Sequence, residues 1–347
     1  MVMGEPRAEA PPPLVDRFRR ATRFVIKRVT GLYYREIIGN QRDILRQQRE
    51  LAGQLHALGA NVAPPERLAQ AMPQFTRTLG EAGGPRPAVY LGEHRILTRT
   101  VFGHKILVDS RDKTIGWHLV LDGYWEPAIT EIFLREIKEG MTVIDIGAHI
   151  GYYTLLACSL VGSRGKVISF EPDARNFDAL DSGVHVNGFR DRCECHNLAV
   201  THSRGRQAFY SKESEPGGNT LWPEPDLEGR LPGQVTSREV ETISLDEFLA
   251  SRPGVRPDIV KIDAEGSEAL IIEGMKRTMS ENSQITLVCE FCPDRIRFAG
   301  GDPAATLRIF DELGFVLKHV QPDATISLLS ASSALASQEL MLLLRRS

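Results

Sequence analysis

The sequence predicts an α/β fold, a doubly wound and mostly parallel sheet preceded by an N-terminal helical arm. Three observations lead to it. From Met141 onward, short apolar runs, glycine turns and helix-length segments succeed one another. The apolar runs are nearly unbroken, which is the pattern of strands covered on both faces by crossover helices. The charge is also divided, with ten Lys/Arg against four Asp/Glu in residues 14–58, while the whole chain of 347 residues carries −3.

The arm comes first. Phe18, Val25, Val29 and Leu32 recur at helical spacing, and Arg17, Arg20, Lys27, Arg28 and Arg35 fall mostly elsewhere on the wheel. Ile37, Gln41, Ile44, Gln48, Leu51, Leu55 and Leu58 then step by four and three, the seam of a short coiled coil weakened by its two glutamines. Residues 1–58 are read as a basic helical arm with three open uses: homo-oligomerisation, peripheral contact with an anionic membrane, or local packing as a solvated helix. Residues 59–87 gather Pro64, Pro65, Pro73, Gly80, Gly83, Gly84, Pro85 and Pro87, which predicts a linker and not a packed element.

The main domain is assigned to residues 88–347. Residues 96–102 and 105–109 alternate around Gly103-His104 as a hairpin, and Pro127 opens a helix that Gly140 ends. Strands are predicted at 142–146, 166–170, 193–200, 258–262, 284–291, 315–320 and 338–344. Helices are predicted at 152–161, 174–187, from Leu245, at 267–279 and at 304–313. Only a loop separates the last two strands, so they can pair antiparallel. Residues 211–233 form a Gly/Pro-rich excursion long enough to act as a lid or acceptor loop.

Composition narrows the classes. With 42% hydrophobic and 25% charged residues the chain is globular, which excludes whole-chain disorder. No apolar run approaches the ~18–20 residues of a spanning helix, and the start of the chain, with Pro11, Pro12 and Pro13, has no signal-peptide apolar segment, so a cytoplasmic protein is expected. Five cysteines, an odd and sparse set, predict free thiols. Cys193, Cys195, Cys289 and Cys292 fall mostly in predicted strands and are read as buried small hydrophobes, so no metal site is assigned to them.

The richest stretch is Val143-Ile144-Asp145-Ile146-Gly147-Ala148-His149-Ile150-Gly151-Tyr152-Tyr153-Thr154, a strand entering two glycines and then a helix. Open α/β sheets bind ligands outside the carboxyl ends of their strands, where a helix N-terminus also offers unpaired N–H groups. Only G-x-x-x-G is present here, so a pyrophosphate is poorly provided for. Glu171, in Phe170-Glu171-Pro172, lies 24 residues beyond Gly147, where a carboxylate meets the two hydroxyls of a ribose.

With these residues the chain resembles a class I, Rossmann-like S-adenosylmethionine-dependent methyltransferase of the FkbM type. The resemblance runs from Ile96 to Phe315 through Gly123-Tyr124-Trp125-Glu126-Pro127, the Asp145 to Thr154 run, Phe170-Glu171-Pro172, Asn197-Leu198-Ala199-Val200 and Lys261-Ile262-Asp263-Ala264-Glu265-Gly266-Ser267-Glu268. It implies a reversed terminal strand, S-adenosylmethionine as methyl donor, and a hydroxyl acceptor on a sugar, glycan, polyketide or related metabolite. Carried over by position, Gly147 and Gly151 give room to the methionine moiety, Ala148 and His149 complete the turn, Glu171 accepts from the ribose and Asn197 flanks the adenine. The family usually has Asn where this chain has His149. Asp145 orients the glycine loop through backbone N–H groups.

Strand alternation turns Lys261 and Asp263 to the same side. A carboxylate at this point can take the acceptor's proton, which assigns Asp263 first and Glu265 second as catalytic base, with Asp263 also a candidate for cofactor binding and for capping the following helix. His149 and His118 are weaker candidates, and alignment of the reactants alone can dispense with a base. Tyr124, Trp125, Tyr152 and Tyr153 either face ligand or fill the core. Two carboxylates do not make the octahedral oxygen set Mg²⁺ prefers, so no metal is assigned. The competing readings are a non-catalytic assembly or membrane-peripheral protein working through its arm, and a nicotinamide oxidoreductase, which the missing middle glycine disfavours. A nucleic-acid partner is not expected, because outside the basic arm the chain is acidic.

Overall fold

The computed structural model describes residues 73–81, 87–212, 218–222 and 235–346. The basic arm and its coiled-coil seam lie outside the described residues, as does most of the predicted lid loop. Among the described residues no helix is long and apolar enough to cross a membrane.

Three strands come before the main sheet. β1 (Val89–Gly92), β2 (Arg95–Arg99) and β3 (Lys105–Asp109) pair antiparallel, so the predicted hairpin gains an extra strand. The main alternation follows with β4 (Thr142–Ile146), β5 (Lys166–Phe170) and β6 (Cys193–His196). β7 (Ala199–Thr201), β8 (Gly205–Lys212) and β9 (Val235–Ser244) then form a separate small sheet. β10 (Ile259–Ile262), β11 (Thr286–Phe291), β12 (Phe315–Val320), β13 (Ile326–Leu328) and β14 (Leu340–Arg346) return to the main one.

The main sheet has the order β13-β12-β14-β11-β10-β4-β5-β6. Strands β6, β5, β4, β10 and β11 are parallel neighbours, and β14 runs antiparallel between β11 and β12. This is the doubly wound sheet with a reversed last strand that the sequence implies. Its two faces carry separate cores. Val143 of β4 packs into one with Leu155, Phe133 and Val288, and its neighbours Ile144 and Ile146 pack into the other with Phe170, Val260 and Phe291. The chain moves outward from β4 to β6 and returns to β10 on the other side of β4. That reversal opens a crevice at the carboxyl ends of β4 and β10, where open α/β sheets take their ligands.

Four local expectations change. The strand predicted at 193–200 is broken at Asn197, whose amide donates to the carbonyls of Glu171 (2.8 Å) and Pro172 (3.0 Å). β6 therefore stops in the main sheet, and β7 leaves to pair with β9. The helix predicted at 267–279 is two helices, Glu268–Glu273 and Lys276–Glu281. The break is at Gly274, where a Cβ would stand 2.1 Å from the Thr201 carbonyl, so β7 lies too close for a side chain. The loop between β12 and β14 carries β13 and a short helix, Ala331–Leu335.

The fourth change lies in the predicted linker. Pro73–Glu81 is a helix, with proline opening it where no backbone N–H is needed. Phe75 is buried against Tyr124, ring centroids 4.9 Å apart, and its N–H donates to the buried Glu131 carboxylate at 2.8 Å. A carboxylate at a helix N-terminus satisfies an orphan donor and opposes the helix dipole. Breakers flank this helix without entering its packed face, which is why their density misleads.

Truncating that anchor tests its weight. Phe75→Ala is expected to lower stability by about 3 kcal/mol or more, the range for emptying a buried aromatic site. Urea unfolding of the two proteins measures it, and a change below about 1 kcal/mol contradicts the packing described.

Candidate active site

The crevice at the carboxyl ends of the strands is an open cleft containing about 1000 Å³ of atom-free space. Gly147 and His149 line it from the turn after β4, Glu171 and Pro172 from the end of β5, and Asp263, Ala264 and Glu265 from the end of β10. Glu290, Arg295 and Glu339 close one side, and Trp125 and Glu126 another. Thr220 and Leu221 reach it from the segment before β9. That segment is tied down by the backbone pairing of Thr220 with Tyr210, by the Asn219 amide donating to Asp173 (3.3 Å) and by the Thr220 hydroxyl donating to the Glu265 carbonyl (2.9 Å).

The glycine turn is shaped by the protein itself. Gly147 has φ +76°, and a Cβ there would stand 1.8 Å from the Asp263 carbonyl oxygen, so this glycine allows β4 and β10 to converge. Gly151 has φ +93° and faces Leu180 of the helix Ala174–Val186. It permits close helix packing and does not line the cleft. Ala148 is buried, with its N–H donating to the Phe170 carbonyl at 3.0 Å.

Glu171, 5% exposed, ties two of these segments together. Its carboxylate accepts from the backbone N–H of His149 and of Asp173, each at 2.8 Å. Burial pushes the Glu171 carboxyl up to about 8, against the pull of those N–H groups. The Asn176 side chain also hydrogen-bonds this carboxylate, and the accepting capacity that remains is open to a hydroxyl donor. His149 is held neutral by burial, and its Nε2 has no hydrogen-bond partner among the described residues.

Asp145 and Asn197 lie behind the cleft wall. Asp145 is fully buried and accepts from the Thr154 hydroxyl at 2.7 Å, so it anchors the helix Tyr152–Leu160 to β4 by a side chain and not by the glycine-loop N–H groups. Asn197 is exposed and joins the ends of β5 and β6, while its neighbour Leu198 lines the cleft.

Lys261 is the charge at the centre of the site. The register of β10 on β4 sets it beside Asp145, and alternation along β10 turns it toward Asp263, whose carboxylate it meets at 2.9 Å. Its ammonium also lies 5.0 Å from the Tyr153 ring centroid. Lys261 is 2% exposed. Burial alone would drive it toward the neutral form, but the charges of Asp263, Asp145 and Glu126 outweigh that and hold it above the ordinary lysine range.

The second proton-transfer candidate, Glu265, is also ion-paired. Arg295 meets it at 2.7 Å, and the same guanidinium meets Glu290 at 3.1 Å and Glu339 at 3.5 Å. Burial pushes the Glu265 carboxyl up to about 8, with Arg295 pulling the other way. The buried Glu268 accepts from the N–H of Ala264 (3.0 Å) and Gly266 (3.2 Å), which fixes the loop bearing Asp263 and Glu265. Its neighbour Ser267 caps no N–H group, and its buried hydroxyl has no partner among the described residues.

Three cleft residues other than glycine have left-handed backbones: Glu126 (φ +38°), His149 (φ +50°) and Glu265 (φ +50°). Such conformations cost energy and persist where surrounding contacts over-determine them. Glu126 was legible only as part of a motif, and Arg295, Glu290 and Glu339 carried no sequence signal because the fold assembles them from the end of β11, the helix after it and the approach to β14. Of the four aromatic candidates, Trp125 lines the cleft, Tyr152 and Tyr153 are buried, and Tyr124 packs on Phe75. His118 pairs with Asp122 at 3.0 Å and does not line the cleft.

Comparison with known proteins adds a chemical class. Residues 145–317 match the methyltransferase FkbM domain. A hexuronic acid methyltransferase, AglP of Haloferax volcanii, is 24% identical over 189 residues, covering 54% of this chain and 68% of that protein. Among solved structures, methyltransferase FkbM from Methylobacillus flagellatus is 16% identical with a TM-score of 0.36, over 59% of this chain and 43% of its own length. A methyltransferase from Geobacter sulfurreducens is 16% identical with a TM-score of 0.35, over 65% of this chain and 80% of its own.

The buried ammonium gives a direct test. Lys261→Met leaves Asp145 and Asp263 without their cation and is expected to cost about 3–5 kcal/mol in urea unfolding, the range for breaking a buried pair from one side. Adding Asp145→Asn should recover part of the loss. A single variant as stable as the parent would contradict this charge arrangement.

Proposed function

Because residues 145–317 make this chain an FkbM-domain methyltransferase, we propose that it transfers a methyl group from S-adenosylmethionine to a hydroxyl of a sugar or related polyol. The observation that carries this reading is the turn from Gly147 to Glu171. Its two walls converge on a buried carboxylate and an unpartnered imidazole nitrogen, and among the described residues no cluster of basic side chains for phosphate lines them. That polar set fits a nucleoside with free hydroxyls. The acid-rich remainder of the cleft fits the positive sulfonium, and bound donor supplies an electrophilic methyl group there.

The chain's own residues divide the work. Glu171 accepts from the ribose hydroxyls, and His149 Nε2 faces a polar group of the donor. Gly147 and Ala148 shape the turn beneath it, Leu198 covers the base, and Asn197 fixes the strand end behind it. Asp263 and Glu265, each held by a cation, accept hydrogen bonds from the acceptor and aim its hydroxyl. Alignment of this kind converts an encounter into an effectively unimolecular step and can supply a large part of the rate. A sugar acceptor is favoured by Trp125, an apolar face, beside carboxylates that suit hydroxyl donors. The name of the Haloferax relative points the same way.

The test is calorimetric titration with S-adenosylhomocysteine. Glu171 titrates near pH 8, so at neutral pH it is largely protonated in the free protein. Ribose hydroxyls donate to the ionised form, lower its pKa and release its proton. Affinity should therefore rise as pH increases toward about 8 and level off above it, with up to about one proton released per ligand near pH 7. Glu171→Gln should abolish the release and weaken binding at least about tenfold, the loss of one strong polar contact. Folded protein that binds no S-adenosylhomocysteine at any pH would remove the reading.

A further inference from the structure

The cleft contains one carboxylate that differs from the others. Asp263 is paired with Lys261, Arg295 holds Glu265, Glu290 and Glu339, and Glu171 accepts two backbone N–H groups. Glu126 lines the same cleft, half-buried, and among the described residues it meets no cation within ion-pair distance. The hydrogen bond it has is from the Tyr153 hydroxyl to its Oε2, at 2.8 Å. A neutral partner orients a carboxylate and leaves it basic, whereas a cation against it lowers its proton affinity.

The backbone delivers this side chain to the cleft at a cost. Glu126 has φ +38° and ψ 78° immediately before Pro127, the first residue of the helix Pro127–Glu136. A non-glycine residue in that region is strained and needs support. Part of it comes from Tyr153, on the first turn of the helix Tyr152–Leu160, whose ring packs against Phe133 at 4.8 Å. The groups acting on Glu126 come from several elements: Tyr153 from that helix, Asp263 and Lys261 from the end of β10, and Glu339 from the approach to β14. Burial, followed by the Asp263 charge, raises its carboxyl above the ordinary range, with Lys261 opposing.

We propose that Glu126 faces the sulfonium methyl and is the catalytic base of the transfer, with Tyr153 as the positioning residue that holds it there. As the acceptor oxygen bonds the methyl carbon, the carbon–sulfur bond breaks and leaves its electron pair on sulfur. The hydroxyl proton passes to the Glu126 carboxylate. The products are an ether, a neutral thioether and a neutral carboxyl group, so atoms and charge balance without a metal or oxidant. This inference rests on the donor assignment above.

The test compares binding of S-adenosylmethionine and S-adenosylhomocysteine to the full chain, in the absence of any acceptor. A carboxylate facing the sulfonium should favour the charged donor by about tenfold, because a unit charge a few ångströms away contributes on this scale in a partly solvated cleft. In Glu126→Gln, which keeps the hydrogen bond from Tyr153, the two affinities should come within about twofold of each other. Binding of S-adenosylhomocysteine should be unchanged, which also shows that the variant folds. Tyr153→Phe should reduce the preference without abolishing it. An undiminished preference in Glu126→Gln would overturn the role of Glu126 and leave the donor assignment standing. Failure of the parent protein to bind either compound would instead overturn the donor assignment.

Discussion

The site depends on one buried ammonium. Lys261 can stay charged inside the sheet only because β4 and β10 bring carboxylates to it from two strands. The two strands can be this close at their carboxyl ends because Gly147 has no side chain to meet the Asp263 carbonyl. Substitution at any of these positions would alter the others, since a buried charge without its partner is among the most costly defects a fold can contain.

Around this centre the loops are fixed by side chains that accept from backbone N–H groups. Glu171 holds the turns after β4 and β5, Glu268 holds the loop after β10, and Asp173 caps the helix Ala174–Val186 while accepting from Ser211 and pairing with Arg238. The small sheet β7-β9-β8 is joined to the end of β5 through Asp173, and the segment between β8 and β9 to the loop after β10 through the Glu265 carbonyl. The strained backbones of Glu126, His149 and Glu265 are then affordable, because each is locked by contacts outside its own loop. A cleft built in this way presents its polar groups before any ligand arrives, the condition under which electrostatic catalysis needs little reorganisation.

Much of the fold was legible because parallel strands leave a strong mark. Unbroken apolar runs between glycine turns gave β4, β5, β10 and β11, and alternation gave the shared side of Lys261 and Asp263. What was missed depends on contacts between residues distant in sequence. The helix Pro73–Glu81 is stabilised by Glu131, 56 residues away from the N–H it caps. The break in the strand predicted at 193–200 depends on carbonyls at the end of β5, and the break at Gly274 on the backbone of β7. Local pattern contains neither. The same holds within the cleft: Gly147, Glu171, Asp263 and Glu265 line it and sit in motifs, Glu126 sits in a motif that did not single out its side chain, and Arg295, Glu290 and Glu339 reach the cleft only through the fold. Gly151 and Asn197 lie in motifs too, yet one serves helix packing and the other joins two strand ends.

The central claim is that the cleft between Gly147 and Glu171 is shaped for a nucleoside attached to sulfur. The most direct measurement is a crystal structure grown with saturating S-adenosylhomocysteine. The account predicts density along that wall, with both ribose hydroxyls on the Glu171 carboxylate and the sulfur directed toward Glu126 and Asp263. Density confined to the groove lined by Arg95, Arg111 and Arg238, with this cleft closed by the protein's own side chains, would contradict it.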